Sequence, residues 1–248
     1  MHNYVAPKEL LKDKVILVTG AGDGIGKEAA LSFAKLGATI VLLGRSQEKL
    51  DDVYDLIESS GGPQPAIVPL NLESAVEQEY QQLANTIEQE FGRLDGLLLN
   101  AAILGSITPI ENYPVEEWTK VMQVNVNSQF AITKALLPLL KQAEAGSVIF
   151  TTSSVGRKGR AHWGAYGVSK FAVEGLMQTL ADELENTCSV RVNCINPGAT
   201  RTNMRGSAFP AEDPAKVCRP NEMLGLYHFL MGKDSLDIHG QSLDAQPK

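Results

Sequence analysis

The chain has 248 residues, 44% of them hydrophobic, and a formal net charge of −7. That length suits one α/β domain with a sizeable core, and the acidic balance argues against nucleic acid or an anionic membrane as the main partner. No apolar run reaches transmembrane length, and Met1-His2-Asn3-Tyr4 lacks the basic and apolar segments of a signal peptide.

In chain order, Val15-Ile16-Leu17-Val18 is a continuous apolar run that reads as a buried parallel strand. It leads into Thr19-Gly20-Ala21-Gly22-Asp23-Gly24-Ile25-Gly26, which opens a helix through Leu36. Glycines in such a turn let a phosphate approach the backbone, where free N–H groups and the helix dipole can hold a pyrophosphate. The spacing is Gly-x-x-x-Gly-x-Gly rather than the commoner G-x-G-x-x-G. A second strand, Thr39–Leu43, ends at Gly44-Arg45-Ser46. An acidic residue near this point usually holds the ribose of NAD; here Gly44 is neutral and Arg45 can pair with the 2′-phosphate of NADP. NADP(H) is therefore expected in preference to NAD(H).

Gln47–Ser60 reads as a helix, Ala66–Leu70 as the third strand, and Ala75–Phe91 as a long polar helix. Leu94–Leu99 is the fourth strand and ends at Asn100-Ala101-Ala102, small residues that leave room for a planar cofactor or for close packing. A helix is expected from Val115 to about Gln142. It contains Asn125, whose amide needs a partner if buried, either a structural bond or a water behind Lys170. The fifth strand, Ser147–Phe150, leads to Ser153, and a helix follows over Gly164–Glu185. Tyr166 and Lys170 are four apart on that helix and so share a face. An ammonium beside a phenol favours the phenolate, which lets the tyrosine exchange a proton with a substrate oxygen near neutral pH; Ser153 could bond the same oxygen. Val190–Ile195 is the sixth strand, followed by Asn196-Pro197-Gly198-Ala199-Thr200-Arg201-Thr202. Asn203–Arg219 lacks periodicity and reads as an irregular lid, with Met204 and Phe209 as its apolar surface. A helix over Asn221–Met231 and a strand at Gln241–Asp244 close the chain.

Strands alternating with helices imply a single-domain, doubly wound, Rossmann-type sheet over residues 1–248. It has seven mostly parallel strands, helices on both faces, and ligands at the carboxyl ends of the strands. Arg157, Lys158 and Arg160, between Ser153 and Tyr166, either meet an anionic substrate or form a solvated turn. Cys188, Cys194 and Cys218 have no C-x-x-C spacing and suit a reducing cytoplasm. The scattered histidines make no metal-ligand pattern, so no metal is expected.

Taken together, Thr19-Gly20, Gly24-Ile25-Gly26, Asn100-Ala101-Ala102, Asn125, Ser153, Tyr166-x-x-x-Lys170 and Pro197-Gly198 with Thr202 resemble the short-chain dehydrogenase/reductase family over essentially all of Leu11–Ala245. The wider wording around Ser153 and Tyr166 is most similar to bacterial oxidoreductases labelled as 3-oxoacyl-carrier-protein reductases. The resemblance implies that Tyr166 is the general acid/base, that Lys170 lowers its pKa and holds the nicotinamide ribose, that Ser153 polarises the carbonyl, and that Asn125 anchors a relay water. It also implies that Gly20, Asp23, Gly24, Ile25 and Gly26 bind the pyrophosphate, that Asn71, Leu72, Asn100 and Ala101 flank the adenosine, and that Pro197, Gly198, Thr200 and Thr202 meet the carboxamide. Dimers or tetramers through the helices bearing Asn125 and Tyr166 are implied as well. Asn71 replaces the usual aspartate and Ala102 the usual glycine; neither touches the catalytic group. The expected activity is interconversion of a carbonyl and a secondary alcohol on a small molecule. The alternatives are an NADP(H)-binding regulator that kept the fold, and a sugar-nucleotide epimerase, a class of longer chains with a differently spaced glycine turn.

Overall fold

The structure is a computed structural model describing residues 4–247; Met1, His2, Asn3 and Lys248, and with them the start of the N-terminal segment, lie outside the described residues. Seven strands form one sheet: β1 Val15–Thr19, β2 Thr39–Gly44, β3 Ala66–Pro69, β4 Gly96–Leu99, β5 Ser147–Thr151, β6 Arg191–Asn196 and β7 Ser242–Asp244. Their order is β3-β2-β1-β4-β5-β6-β7, and every pairing is parallel. The expected mostly parallel sheet is thus wholly parallel. Central strands buried on both faces explain the unbroken apolar runs of β1, β4 and β5.

The helices are α1 Gly24–Lys35, α2 Gln47–Ser59, α3 Glu77–Phe91, α4 Val115–Met122, α5 Ser128–Leu140, α6 Gly164–Leu184, α7 Asn203–Ala208 and α8 Gly225–Met231. Two apolar cores flank the sheet. One packs Tyr80, Leu83, Leu136, Val173 and Met177 of α3, α5 and α6 onto alternate strand residues such as Leu17 and Leu97. The other packs Phe33, Val53, Tyr227 and Leu230 of α1, α2 and α8 onto Ile16 and Leu98. Alternation along β1 and β4 sends neighbouring residues to opposite cores.

Three expectations need correction. The helix expected over 115–142 is interrupted: Gln123–Asn127 is a π-helical turn between α4 and α5, a widening that carries Asn125 inward. The segment expected to be irregular holds α7, whose start is fixed by the Thr202 hydroxyl accepting from Arg205 N at 3.1 Å. The last helix begins at Gly225 rather than Asn221, because Pro220 starts a separate 3₁₀ turn ending at Glu222.

Candidate active site

Strand order reverses around β1 and β4, so the connections leaving their carboxyl ends diverge and open a crevice between them. A cavity of about 480 Å³ lies there. At one end it is bounded by Arg45, Ser46, Asn71 and Leu72, after β2 and β3. Gly20, Asp23, Gly24 and Ile25 line its middle, opposite Asn100, Ala101 and Ala102. At the other end stand Ser153, Tyr166 and Lys170, with Pro197, Gly198, Thr200 and Thr202 as a further wall. Of the expected site residues, Gly26 and Asn125 do not line it.

Gly26 serves the turn from within. A Cβ there would come within 2.2 Å of the Gly20 carbonyl oxygen, so only glycine lets α1 start this close to β1. Gly20 sits at φ +69°, a left-handed conformation that sharpens the turn. Asp23 caps α1 by accepting from Gly24 N at 2.7 Å. Its other oxygen accepts from Lys49 Nζ at 2.8 Å and Asn203 Nδ2 at 3.1 Å; these donors hold its carboxyl below the usual range, the Lys49 bond most of all. Arg45 is exposed and its guanidinium has no partner among the described residues.

Tyr166 and Lys170, one turn apart on α6, are both buried. The Lys170 ammonium stands 5.5 Å from the centroid of the Tyr166 ring and donates to the Thr151 carbonyl at 2.8 Å. Burial pushes the Tyr166 phenol up to about 12, against a smaller lowering by its hydrogen bond with Ser153, and pushes Lys170 down to about 8. Desolvation thus dominates the phenol's shift, because burial disfavours the charged phenolate. Near pH 7 the phenol is neutral and the amine still charged, a pair suited to giving a proton to a substrate oxygen.

Asn125 is fully buried behind the site. Its Oδ1 accepts from Ile103 N at 2.8 Å, and its Nδ2 donates to Ile103 O at 2.9 Å and to Ser169 Oγ at 3.0 Å. Ser169 in turn donates to the Tyr166 carbonyl at 2.7 Å. Both N–H groups of this amide are bonded directly to protein, and its Oδ1 keeps a second lone pair. Asn71 Oδ1 accepts from Glu73 N at 3.2 Å, shaping the turn after β3.

Four contributors, Thr19, Thr152, Arg205 and Gln246, were not among the expected site residues. The Thr19 hydroxyl accepts from Asn100 N and Ala101 N at 2.9 and 3.0 Å, locking the glycine turn to the end of β4. Thr152 lines the cavity with a buried hydroxyl that has no hydrogen-bond partner among the described residues. Arg205 and Phe209, from α7 and its end, also line it. Gln246, near the C-terminus, donates to Pro197 O and Ala199 O, both at 2.8 Å; a residue so far along the chain could be matched to that loop only in three dimensions. Of the three cationic residues after Ser153, Arg157 faces away: it pairs with Glu174 and Asp244 and bonds Ser242.

A family model described as short chain dehydrogenase matches residues 14–213. The uncharacterized oxidoreductase YciK of Escherichia coli K12 is 53% identical over 247 residues, covering 100% of this chain and 97% of its own. A chain from Escherichia coli CFT073, described as a short chain dehydrogenase complexed with NADPH, superposes with a TM-score of 0.95 at 54% identity, covering 97% of this chain and all of its own. The 3-oxoacyl-[acyl-carrier-protein] reductase FabG of Thermotoga maritima is more distant, 30% identical over 93% of this chain and 95% of its own. A shared sequence model, a full-length relative and a coincident backbone agree, and the chain belongs to the short-chain dehydrogenase family of NAD(P)-dependent oxidoreductases.

Proposed function

We propose that this protein uses NADP(H) to interconvert a ketone and a secondary alcohol, with Tyr166 as the proton-transfer group. The observation that carries the reading is the buried pair of Tyr166 and Lys170 at one end of a crevice whose other end is bounded by the unpartnered Arg45. The residues present fit a dinucleotide. A glycine turn locked by Thr19 faces the middle of the crevice, and the orphaned Thr152 hydroxyl awaits a polar partner. The relative crystallised with NADPH supports the same cofactor here. When bound, the nicotinamide supplies or accepts the hydride.

The chain's own groups do the rest. Ser153 and Tyr166 meet the substrate oxygen; Tyr166 gives up its proton in reduction and takes one in oxidation. Lys170, fixed by Thr151, holds positive charge beside the phenol and the nicotinamide ribose. Asn125 acts through Ser169 as a brace that sets the backbone of α6 at Tyr166. The turn at Gly20–Ile25, with Asp23, holds the pyrophosphate; Asn71, Leu72, Asn100 and Ala101 flank the adenosine; and Pro197, Gly198, Thr200 and Thr202 receive the carboxamide. At 30% identity the FabG relative is too distant to fix a 3-oxoacyl carrier as substrate.

Replacing Tyr166 with Phe abolishes NADPH oxidation across a ketone panel and leaves NADPH binding, read by calorimetry, within about threefold; retained turnover removes the role of Tyr166. Replacing Arg45 with Ala weakens NADPH about 10-fold or more, from a charge-assisted bond worth ~1.5–3 kcal/mol, and leaves NADH unchanged. An NADP(H)-binding regulator would keep the binding and show no turnover of any ketone. We also propose a homodimer or homotetramer: Phe130 on α5 and Val168 and Phe171 on α6 are exposed on the helices that follow Asn125 and carry Tyr166. Light scattering that reports a monomer at micromolar concentration rejects it. The free cysteines fit a reducing, cytoplasmic setting.

A further inference from the structure

This inference rests on the oxidoreductase reading and concerns what the substrate must carry. Beside Ser153 a second cavity, of about 240 Å³, continues away from the cofactor crevice. Arg160, Trp163, Arg205 and Phe209 bound it, and no aspartate or glutamate lines it. The Arg160 guanidinium is exposed and has no hydrogen-bond or ion-pair partner among the described residues. Arg205 is bidentate to Glu212, at 2.7 and 2.6 Å, and its guanidinium stacks 3.7 Å from the centroid of the Phe209 ring. Both side chains of this pair are partly exposed, so an incoming anion can reach the Arg205 guanidinium.

The aromatic rings make a path between the reacting end and these cations. The Trp163 ring lies 5.7 Å from Tyr166 and 5.8 Å from Phe209. A flat or aliphatic arm laid along them would run from Ser153 and Tyr166 toward Arg160 and Arg205. The contrast with the cofactor end is sharp. There the acidic linings, Asp23 and Glu73, are already neutralised by Lys49 and Lys120. In a chain of net charge −7, the unpaired Arg160 guanidinium beside a cavity without a lining carboxylate is a local reversal of sign.

We propose that this second cavity is a carboxylate subsite, and that the substrate is a small keto acid or hydroxy acid. Its reacting carbon meets Tyr166, its apolar arm lies on Trp163 and Phe209, and its carboxylate is held by Arg160, joined by Arg205 after release from Glu212. Planar guanidiniums suit a carboxylate because they offer paired N–H donors. The volume, below the ~300–1,000 Å³ of sites for drug-sized ligands, suits a short arm.

The test compares 5-oxo-5-phenylpentanoate with its methyl ester in NADPH oxidation. The acid is expected to exceed the ester in kcat/KM by about 10-fold or more, and Arg160→Gln to bring that ratio close to one. Arg160 is exposed, so the variant folds. Equal kcat/KM for acid and ester in the unmodified protein overturns the subsite, and so does a preference that survives both Arg160→Gln and Arg205→Gln. A second readout does not depend on turnover: calorimetry of the NADP-loaded protein with 5-phenylpentanoate and with its amide. Tighter binding of the acid, lost in Arg160→Gln, supports the subsite even if no ketone is reduced, a result that would count against the oxidoreductase reading instead. Equal binding of acid and amide overturns the subsite.

Discussion

Tyr166 and Lys170 illustrate how much a side chain's surroundings change its chemistry. Spacing alone brings them to one helical face, but burial keeps the phenol protonated, up to about 12, with the amine lowered to about 8. A second residue-scale case is His228, whose Nε2 lies 2.6 Å from Ser32 Oγ and whose ring meets Phe33 edge-on. Burial pushes it from 6.5 down to about 4. The unfolded chain takes up a proton below about pH 6.5, while the folded one refuses it until about pH 4. Stability is therefore intact above pH 6.5 and lost as the pH falls through that window, by up to about 1.4 kcal/mol per pH unit. Urea midpoints at pH 7, 5.5 and 4.5 should show the loss, and His228→Gln should flatten it. Gln246 ties down the Pro197–Thr200 loop by its side-chain amide. Gln246→Ala is expected to raise the KM for NADPH about 10-fold, as ~1–1.5 kcal/mol of loop order is lost, with the melting temperature little changed; an unchanged KM would relieve Gln246 of that role.

Among the elements, the π-helical turn over Gln123–Asn127 is the one that joins the two halves of the site. By turning Asn125 inward it ties the loop that follows β4, at Ile103, to α6 at Ser169. Asn125→Ala would leave the Ile103 N–H and C=O without their amide partner and free Ser169 Oγ of one bond, at a cost of about 1–3 kcal/mol, seen as a lower urea midpoint, with the loss in kcat larger than that in NADPH affinity. Equal losses in both would make the turn a structural device only. A comparable brace closes α8. Arg191, on β6, is buried with no carboxylate partner among the described residues and donates to the Leu230 carbonyl at 2.9 Å, the Gly232 carbonyl at 3.3 Å and Ser235 Oγ at 2.8 Å. Carbonyls at a helix C-terminus carry partial negative charge, so the guanidinium acts as the cap. Arg191→Ala is expected to cost about 3 kcal/mol, read by denaturant unfolding.

Across the whole molecule, the sequence determined the alternation of strands and helices, because a parallel strand buried on both faces must be apolar throughout and its crossover helix must be amphipathic. It also determined the glycine turn, the Tyr166 and Lys170 pair and the basic residue after β2, since each depends on neighbours a few positions away. Only the tertiary structure decided the rest. It showed that Gly26 spaces the turn from within and that Asn125 bonds to Ile103 and Ser169. It sent Arg157 to Glu174 and Asp244 while leaving Arg160 beside Ser153, and it brought Gln246 to the Pro197 loop. Each of these depends on contacts between segments tens of residues apart or on how far one loop turns. No local periodicity encodes such distances, whereas packing against a shared sheet fixes them.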